Sequence, residues 1–202
     1  MRSAVSVIMS HPAIYSNVTR ILRGKKTIQE FVDTYVRPSE GCRILDIGCG
    51  PGDILNYLPP VEYYGFDSDP HYIESAKKRF GSRGNFFCRM VSRDAFSGEA
   101  NIDIILAMGI LHHLDDNEAG QLFELAHHLL KPGGRLITYD GCYTPDQSRA
   151  QKFFLDIDRG KFVRNKGEYT LLAQQQFPGV TTTVRPDLLN IPYNIIIMEC
   201  RK

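Results

Sequence analysis

The chain has 202 residues, 43% of them hydrophobic and 23% charged, and its 24 Lys and Arg against 23 Asp and Glu leave a net charge of +1. That length suits one domain with a real core, and the composition excludes a disordered tail. The balanced charge removes the electrostatic reason to expect nucleic acid or an anionic membrane as a partner.

Five cysteines (Cys42, Cys49, Cys88, Cys142, Cys200) form no C-x-x-C pair, so a reducing compartment and no structural zinc are expected. The longest apolar stretch, Ile104 to Leu111, falls far short of the ~20 residues a spanning helix needs. Ala4 to Met9 is too short for a signal-peptide core. A single cytoplasmic domain follows as the expectation.

In chain order, residues 1–40 show no strand pattern and read as one or two helices. Arg43–Ile47 reads as a buried strand running into the turn Gly48-Cys-Gly-Pro-Gly52. Val61–Phe66 is a second strand, closed by Asp67-Ser-Asp-Pro70, and Pro70 suits the first turn of a helix reaching Phe80. Asn85–Val91 and Ile102–Ala107 are the third and fourth strands. Apolar residues at 122, 125, 126, 129 and 130 give helical spacing over Asn117–Leu130, ended by Lys131-Pro-Gly-Gly134. Arg135–Tyr139 is the fifth strand, helices are expected over 146–156 and 168–176, and Val180–Arg185 with Asn194–Cys200 form a closing antiparallel pair. Strand alternating with helix predicts an α/β fold whose parallel strands are joined by right-handed crossovers.

Ligands of such sheets bind at the carboxyl ends of the strands. The turn Asp46-Ile-Gly-Cys-Gly-Pro-Gly52 stands at that edge, and its glycines admit sharp bends and close approach of a ligand. A dinucleotide fold wants G-x-G-x-x-G to seat a pyrophosphate on a helix N-terminus. Here Asp53 takes the third glycine's place, a carboxylate at a helix start that opposes phosphate. Asp67, at the end of the second strand, has the place and reach to accept both hydroxyls of a ribose. Asp94, in Ser92-Arg-Asp-Ala95, can accept from an exocyclic adenine amine or simply cap a turn.

These residues resemble a class I S-adenosylmethionine-dependent methyltransferase. The resemblance rests on Ile44-Leu-Asp-Ile-Gly-Cys-Gly-Pro-Gly52, Gly65-Phe-Asp67, Asp94, Asp103 to His113 and Leu130-Lys-Pro-Gly-Gly134, and covers residues 40–141. It implies a Rossmann-like seven-stranded sheet, mostly parallel with one late antiparallel strand, with helices on both faces. It further implies S-adenosyl-L-methionine as cofactor, with Asp46 and the loop of Gly48, Cys49, Gly50 and Gly52 near the methionine moiety, Asp67 on the ribose, Asp94 near the adenine, and Ser68, Ala95 and Ala107 also among the cofactor-binding residues. On this reading the chain is one domain: a helical lid at 1–40, a cofactor-binding half at 41–141 and an acceptor-side segment at 142–202.

Methyl transfer from a sulfonium is an in-line displacement that requires alignment and exclusion of water, and a hydroxyl acceptor also needs a base. His112 and His113 follow the fourth strand, and adjacent residues point apart, so one at most faces the methyl. Ile110-Leu-His112 with Leu122-Phe-Glu-Leu125 is similar to a stretch of phosphoethanolamine methyltransferases, in which the matching His pairs with a lid Tyr. That resemblance nominates Tyr15 with His112, although packing roles for both are open. His127 and His128 read as packing or surface residues.

Met108-Gly109 and Asp140-Gly141 stand where catechol-type enzymes hold a divalent metal, so no metal is expected. The Asn/Asp-Pro-Pro-aromatic turn of exocyclic-amine nucleic-acid enzymes and the double-Glu hairpin of arginine methyltransferases are missing. Cys142 lacks the Pro-Cys or Thr-Cys setting of a C5-methylating nucleophile and reads as a buried thiol. Tyr15, Tyr139, Tyr143 and Tyr169 are expected to wall a cyclic acceptor. The basic run Arg159 to Lys166 either meets an anion or forms a solvated surface. The leading expectation is O-methylation of a small metabolite or glycan precursor. N-methylation of a small amine, a non-catalytic cofactor-binding regulator and an NAD-dependent dehydrogenase follow in that order.

Overall fold

The computed structural model describes residues 25–96, 101–158 and 160–202. Helix α1 (Lys25–Phe31) continues into a π-helical turn, Val32–Val36, which ends at Arg37 in the left-handed region. Strand β1 (Arg43–Ile47) is followed by β2 (Glu62–Asp67), α2 (Pro70–Phe80), β3 (Asn85–Cys88) and β4 (Ile102–Met108). Next come α3 (Asp116–Leu129), β5 (Leu130–Tyr143), α4 (Arg149–Asp156), β6 (Arg164–Asn165), α5 (Lys166–Gln174), β7 (Gly179–Arg185) and β8 (Ile195–Arg201).

The sheet order is β3-β2-β1-β4-β5-β8-β7, with the short β6 beside β5. Strands β1 to β5 pair in parallel, and β8 runs antiparallel to both β5 and β7. The mostly parallel sheet with one late antiparallel strand is the architecture expected, extended to eight strands by β6.

Both faces of the central strands are covered, which is why their sequences are nearly continuous apolar runs. Successive side chains alternate faces. Ile44, Ile104, Leu106 and Ile137 enter one core with Phe31, Tyr63 and Tyr139, while Leu45, Ile105, Ala107 and Leu136 enter the other with Phe123, Tyr169 and Phe177. Helix starts carry their own capping signals. Asp69 caps α2 ahead of Pro70, and Asp115/Glu118, Ser148/Gln151 and Asn165/Glu168 form capping boxes on α3, α4 and α5.

Several boundaries differ from the sequence expectation. The segment after the glycine loop is a 3-10 turn, Asp53–Asn56, rather than an α-helix. Pro59 and Pro60 follow within one turn and leave no room to propagate it. Strand β3 stops at Cys88, and β5 extends beyond Arg135–Tyr139 at both ends. Its first residues make the bend at Gly133 (φ +76°), and the pairing with β4 shifts register between Ile102 and Ile104. A Cβ at Gly134 would lie 2.9 Å from the Ile102 carbonyl oxygen, which explains the glycine at that bend. Among the described residues, no helix is long and apolar enough to cross a membrane.

Candidate active site

The glycine turn, Asp67 and the Ala107–Gly109 bend lie at the carboxyl ends of neighbouring strands, since Ile47 is in register with both Phe66 and Ala107. The turn is held by the amides of Gly48 and Cys49, which donate to the Phe66 carbonyl at 2.8 and 3.0 Å. Asp67 closes it from β2: one carboxylate oxygen accepts from the Gly50 amide at 2.9 Å and the other from the Asp69 amide at 2.8 Å. Gly48 and Gly50 both have positive φ but serve different ends. A Cβ on Gly48 would lie 2.2 Å from Ile110 Cδ1, so this glycine lets the turn pack against the loop after β4. A Cβ on Gly50 would meet nothing within 4 Å, so this glycine borders open space.

Asp46 is almost fully buried, and the Tyr63 phenol donates to its Oδ2 at 2.5 Å. Its Oδ1 is buried with no hydrogen-bond partner among the described residues. Burial pushes this carboxyl up to about 7 against the opposing Tyr63 hydrogen bond, with the nearby Asp67 charge adding to the rise. Cys49 is buried beside Asp46 and Asp67, and its thiol is driven far above the ordinary range, mainly by burial. A nucleophilic role for it is thereby unfavourable.

Of the other residues singled out for the cofactor, Gly52 packs toward Phe86 and Phe80, Ser68 is exposed after β2, and Ala107 is fully buried in β4. Asp94 and Ala95 lie on the 3-10 turn Arg93–Ala95, where Asp94 is exposed. Asp53 turns toward α2, where Arg79 binds it at 2.5 Å, so its charge is neutralised locally rather than directed at a ligand.

The loop after β4 bends at Gly109 (φ +74°) and forms a 3-10 turn, Leu111–His113. Leu111 anchors it in the core while His113 is exposed. His112 is 8% exposed. Its Nδ1 lies 2.9 Å from Oδ1 of Asp140 at the carboxyl end of β5, and the same oxygen accepts from the His112 amide at 3.3 Å. Asp140 is buried, and its Oδ2 has no hydrogen-bond partner among the described residues.

The other ring nitrogen, Nε2, lies 3.5 Å from Oδ1 of Asp158 in the segment after α4. Asp158 is held by the Gly160 amide on Oδ1 at 2.9 Å and by the Tyr193 hydroxyl on Oδ2 at 2.8 Å. Gly160 presses on the imidazole, where an added Cβ would lie 2.3 Å from Cδ2. The Phe162 amide donates to the His112 carbonyl at 2.9 Å.

Arg164 fastens this strap. It binds Asp116 through Nε and Nη2, the Leu111 and Phe162 carbonyls through Nη1 and the Leu114 carbonyl through Nη2, all within 2.7–3.0 Å. Read in sequence as one cation of a basic surface run, Arg164 is a buried clamp instead.

Two expected wall residues also prove internal. Tyr169 is fully buried because α5 packs on the sheet, and its hydroxyl donates to the Gly141 carbonyl at 3.1 Å. Tyr139 packs edge-on against Phe31. Tyr143 is half-buried and donates to Asp156 at 2.9 Å. Burial raises the Cys142 thiol to about 12. His127 lies against Phe177, and His128 is exposed. Tyr15 and Arg159 lie outside the described residues.

Sequence reasoning missed Asp140 and Asp158 as neighbours of the His112 ring, and Tyr193 and Arg164 as the groups that hold Asp158 and the strap. The one available signal was the position of Asp140 at a strand's carboxyl end. Among the described residues, no cluster of His, Cys, Asp and Glu is arranged to hold a metal ion.

Residues 45–136 match a family model described as a methyltransferase domain. Residues 45–136 are thus similar to a methyltransferase domain, on the fold of the class I methyltransferases. The ubiquinone biosynthesis O-methyltransferase of Methylocella silvestris is 36% identical over 105 residues, covering 50% of this chain and 40% of that protein. Ribosomal RNA small subunit methyltransferase C of Chromohalobacter salexigens is 23% identical over 178 residues, 83% of this chain and 48% of that protein. The chain thus spans less than half the length of these curated relatives.

Among solved structures, phosphoethanolamine N-methyltransferase 2 of Haemonchus contortus, in complex with phosphomonomethylethanolamine and S-adenosylhomocysteine, superposes with a TM-score of 0.75 at 15% identity. The match covers 98% of this chain and 59% of that one. The 1,6-didemethyltoxoflavin-N1-methyltransferase of Burkholderia thailandensis gives 0.68 at 18% identity, over 98% and 86% of the two chains. At these identities the likeness concerns the fold alone.

Proposed function

We propose that this protein methylates a small-molecule acceptor at oxygen, a metabolite or glycan precursor, in the cytoplasm. The observation that carries the reading is the buried Oδ1 of Asp46, without a hydrogen-bond partner among the described residues, beside a glycine turn that borders open space. A buried carboxylate oxygen without a donor is costly unless a ligand supplies one. The ammonium group of a methionine moiety is such a donor, so these residues fit S-adenosylmethionine. Asp67, which accepts only one amide on each oxygen among the described residues, retains lone pairs for ribose hydroxyls. Asp94 and Ala95 are assigned to the adenine side, and Gly48, Cys49, Gly52, Ser68 and Ala107 to the walls.

S-adenosylmethionine supplies, when bound, a methyl group already activated on a sulfonium sulfur. The chain's own task is to place the acceptor, keep water out and take up a proton. His112 suits the last role. With Asp140 accepting from Nδ1–H, the imidazole is held in the tautomer whose Nε2 lone pair receives the acceptor's hydroxyl proton. The strap over His112, stapled by Arg164, shields that nitrogen from bulk water. We assign residues 1–40 as the lid, with Tyr15 as partner of His112, residues 41–141 as the cofactor half and residues 142–202 as the acceptor side.

Transfer of label from S-adenosyl-[methyl-3H]methionine to a panel of phenols and sugars tests the reading. Methyl ethers formed by the parent protein and lost in His112→Asn support it. A protein that binds cofactor yet labels nothing, or labels equally well without His112, contradicts it.

A further inference from the structure

We propose that Asp158 is an acceptor-binding residue, and that the acceptor presents a second hydrogen-bond donor, a hydroxyl or an ammonium, next to the atom that is methylated. The inference rests on the methyltransferase reading of the same site and deepens it. Asp158 arrives from a different element than His112, on the segment between α4 and β6, yet its Oδ1 stands 3.5 Å from Nε2. That separation is long for a hydrogen bond between the two. It suits two acceptors that engage a pair of donors on neighbouring atoms, which stand roughly 2.8 Å apart, as hydrogen-bonded oxygens do.

The carboxylate is prepared for such a ligand. Tyr193 holds one oxygen and the Gly160 amide the other, so its orientation is fixed from β8's approach and from the strap together. Two of its roughly four lone-pair positions remain, and its side chain keeps 27% of its surface exposed, against none for Asp140. Behind the imidazole, Asp140 adds a second carboxylate whose Oδ2 is buried without a partner among the described residues.

The carboxylates of Asp140 and Asp158 flank the imidazole on both sides. Of the described cations nearby, Arg164 is engaged on Asp116 and three carbonyls and Lys152 on Asp156, while Lys161 is exposed beyond Gly160. The electrostatics beside Nε2 therefore favour a donor or a cation on the acceptor and oppose a carboxylate or phosphate there. This is the reverse of the anion-binding role that the basic run Arg159–Lys166 suggested in sequence.

The test uses four probes that share one phenolic hydroxyl and differ in their ortho substituent: phenol, catechol, 2-(aminomethyl)phenol and salicylate. The full chain is assayed for methyl transfer, and for probe binding with S-adenosylhomocysteine bound. Catechol or 2-(aminomethyl)phenol should exceed phenol by about tenfold or more in kcat/KM, with salicylate below phenol. Preference between the first two tells a hydroxyl partner from an ammonium.

Asp158→Asn keeps the side chain's shape and should collapse the advantage of the donor-bearing probe over phenol, through KM, while S-adenosylhomocysteine affinity stays unchanged. Tyr193→Phe, which frees the carboxylate without removing it, should give a smaller loss in the same direction. An unchanged probe ratio in Asp158→Asn, a preference for salicylate, or no binding of either donor-bearing probe by the cofactor-loaded protein overturns the proposal. Loss of S-adenosylhomocysteine binding by the parent protein would instead overturn the methyltransferase reading.

Discussion

Asp46→Asn separates what the buried carboxyl costs the empty protein from what it contributes to the cofactor. In the folded chain this carboxyl sits at about 7, against an ordinary 3.8, because burial outweighs the Tyr63 hydrogen bond. The folded state therefore holds a proton that the unfolded chain has released between about pH 4 and pH 7. Stability falls as pH rises through that window and levels off above it. Roughly three pH units at about 1.4 kcal/mol each make about 4 kcal/mol.

Asn cannot ionise, and Tyr63 can still donate to its oxygen. Without ligand, Asp46→Asn should match the parent near pH 4 and exceed its stability by up to about 4 kcal/mol above pH 7. With S-adenosylhomocysteine the order should reverse, because the ligand's ammonium favours the ionised carboxylate that Asn lacks. Parent affinity should correspondingly weaken as pH falls below about 7. Urea unfolding at several pH values, with and without S-adenosylhomocysteine, reads both effects. Parallel pH profiles for parent and variant, or a variant less stable than the parent above pH 7 without ligand, would refute the reasoning.

Other substitutions probe the surrounding framework. Gly48→Ala places a Cβ 2.2 Å from Ile110 Cδ1 at φ +70°; a loss of about 2–3 kcal/mol in denaturant titrations is expected, with weaker cofactor binding. Arg164→Met removes one donor from each of the Leu111, Phe162 and Leu114 carbonyls and leaves Asp116 without its guanidinium partner; it should cost about 2–4 kcal/mol, read as a lower Tm. Asp140→Asn should reduce methyl transfer by about 10²–10⁴-fold with S-adenosylhomocysteine affinity retained, because Asn lacks the charge that stabilises the imidazolium and its amide group can donate to Nδ1, which favours the wrong tautomer.

Features set by short stretches of chain were legible from residue order. The glycine turn, the acid ending β2 and the apolar strand runs each announce themselves locally, and so did α2 with Pro70 at its first turn. The site around His112 did not, because its members are separated by 28 residues to Asp140 and lie along a strap with little periodicity. Asp158 meets Tyr193 only where the strap passes the approach to β8, 35 residues later. Arg164 looked like a surface cation because nothing local shows that the carbonyls of the Leu111–Leu114 turn need a donor. The carboxylate of Asp53, which in sequence opposes a phosphate ligand, is neutralised by Arg79, 26 residues on. The wall role expected for Tyr169 failed for a related reason: a buried tyrosine whose hydroxyl reaches a backbone carbonyl looks the same in sequence as an exposed one.

Calorimetric titration of the ligand-free protein with S-adenosylhomocysteine and, separately, with NAD addresses the central claim most directly. Saturable one-to-one binding of S-adenosylhomocysteine, weakened in Asp67→Ala, with no heat from NAD, is the predicted result. Binding of NAD in preference to S-adenosylhomocysteine would contradict the assignment of the glycine turn and with it the account of the site.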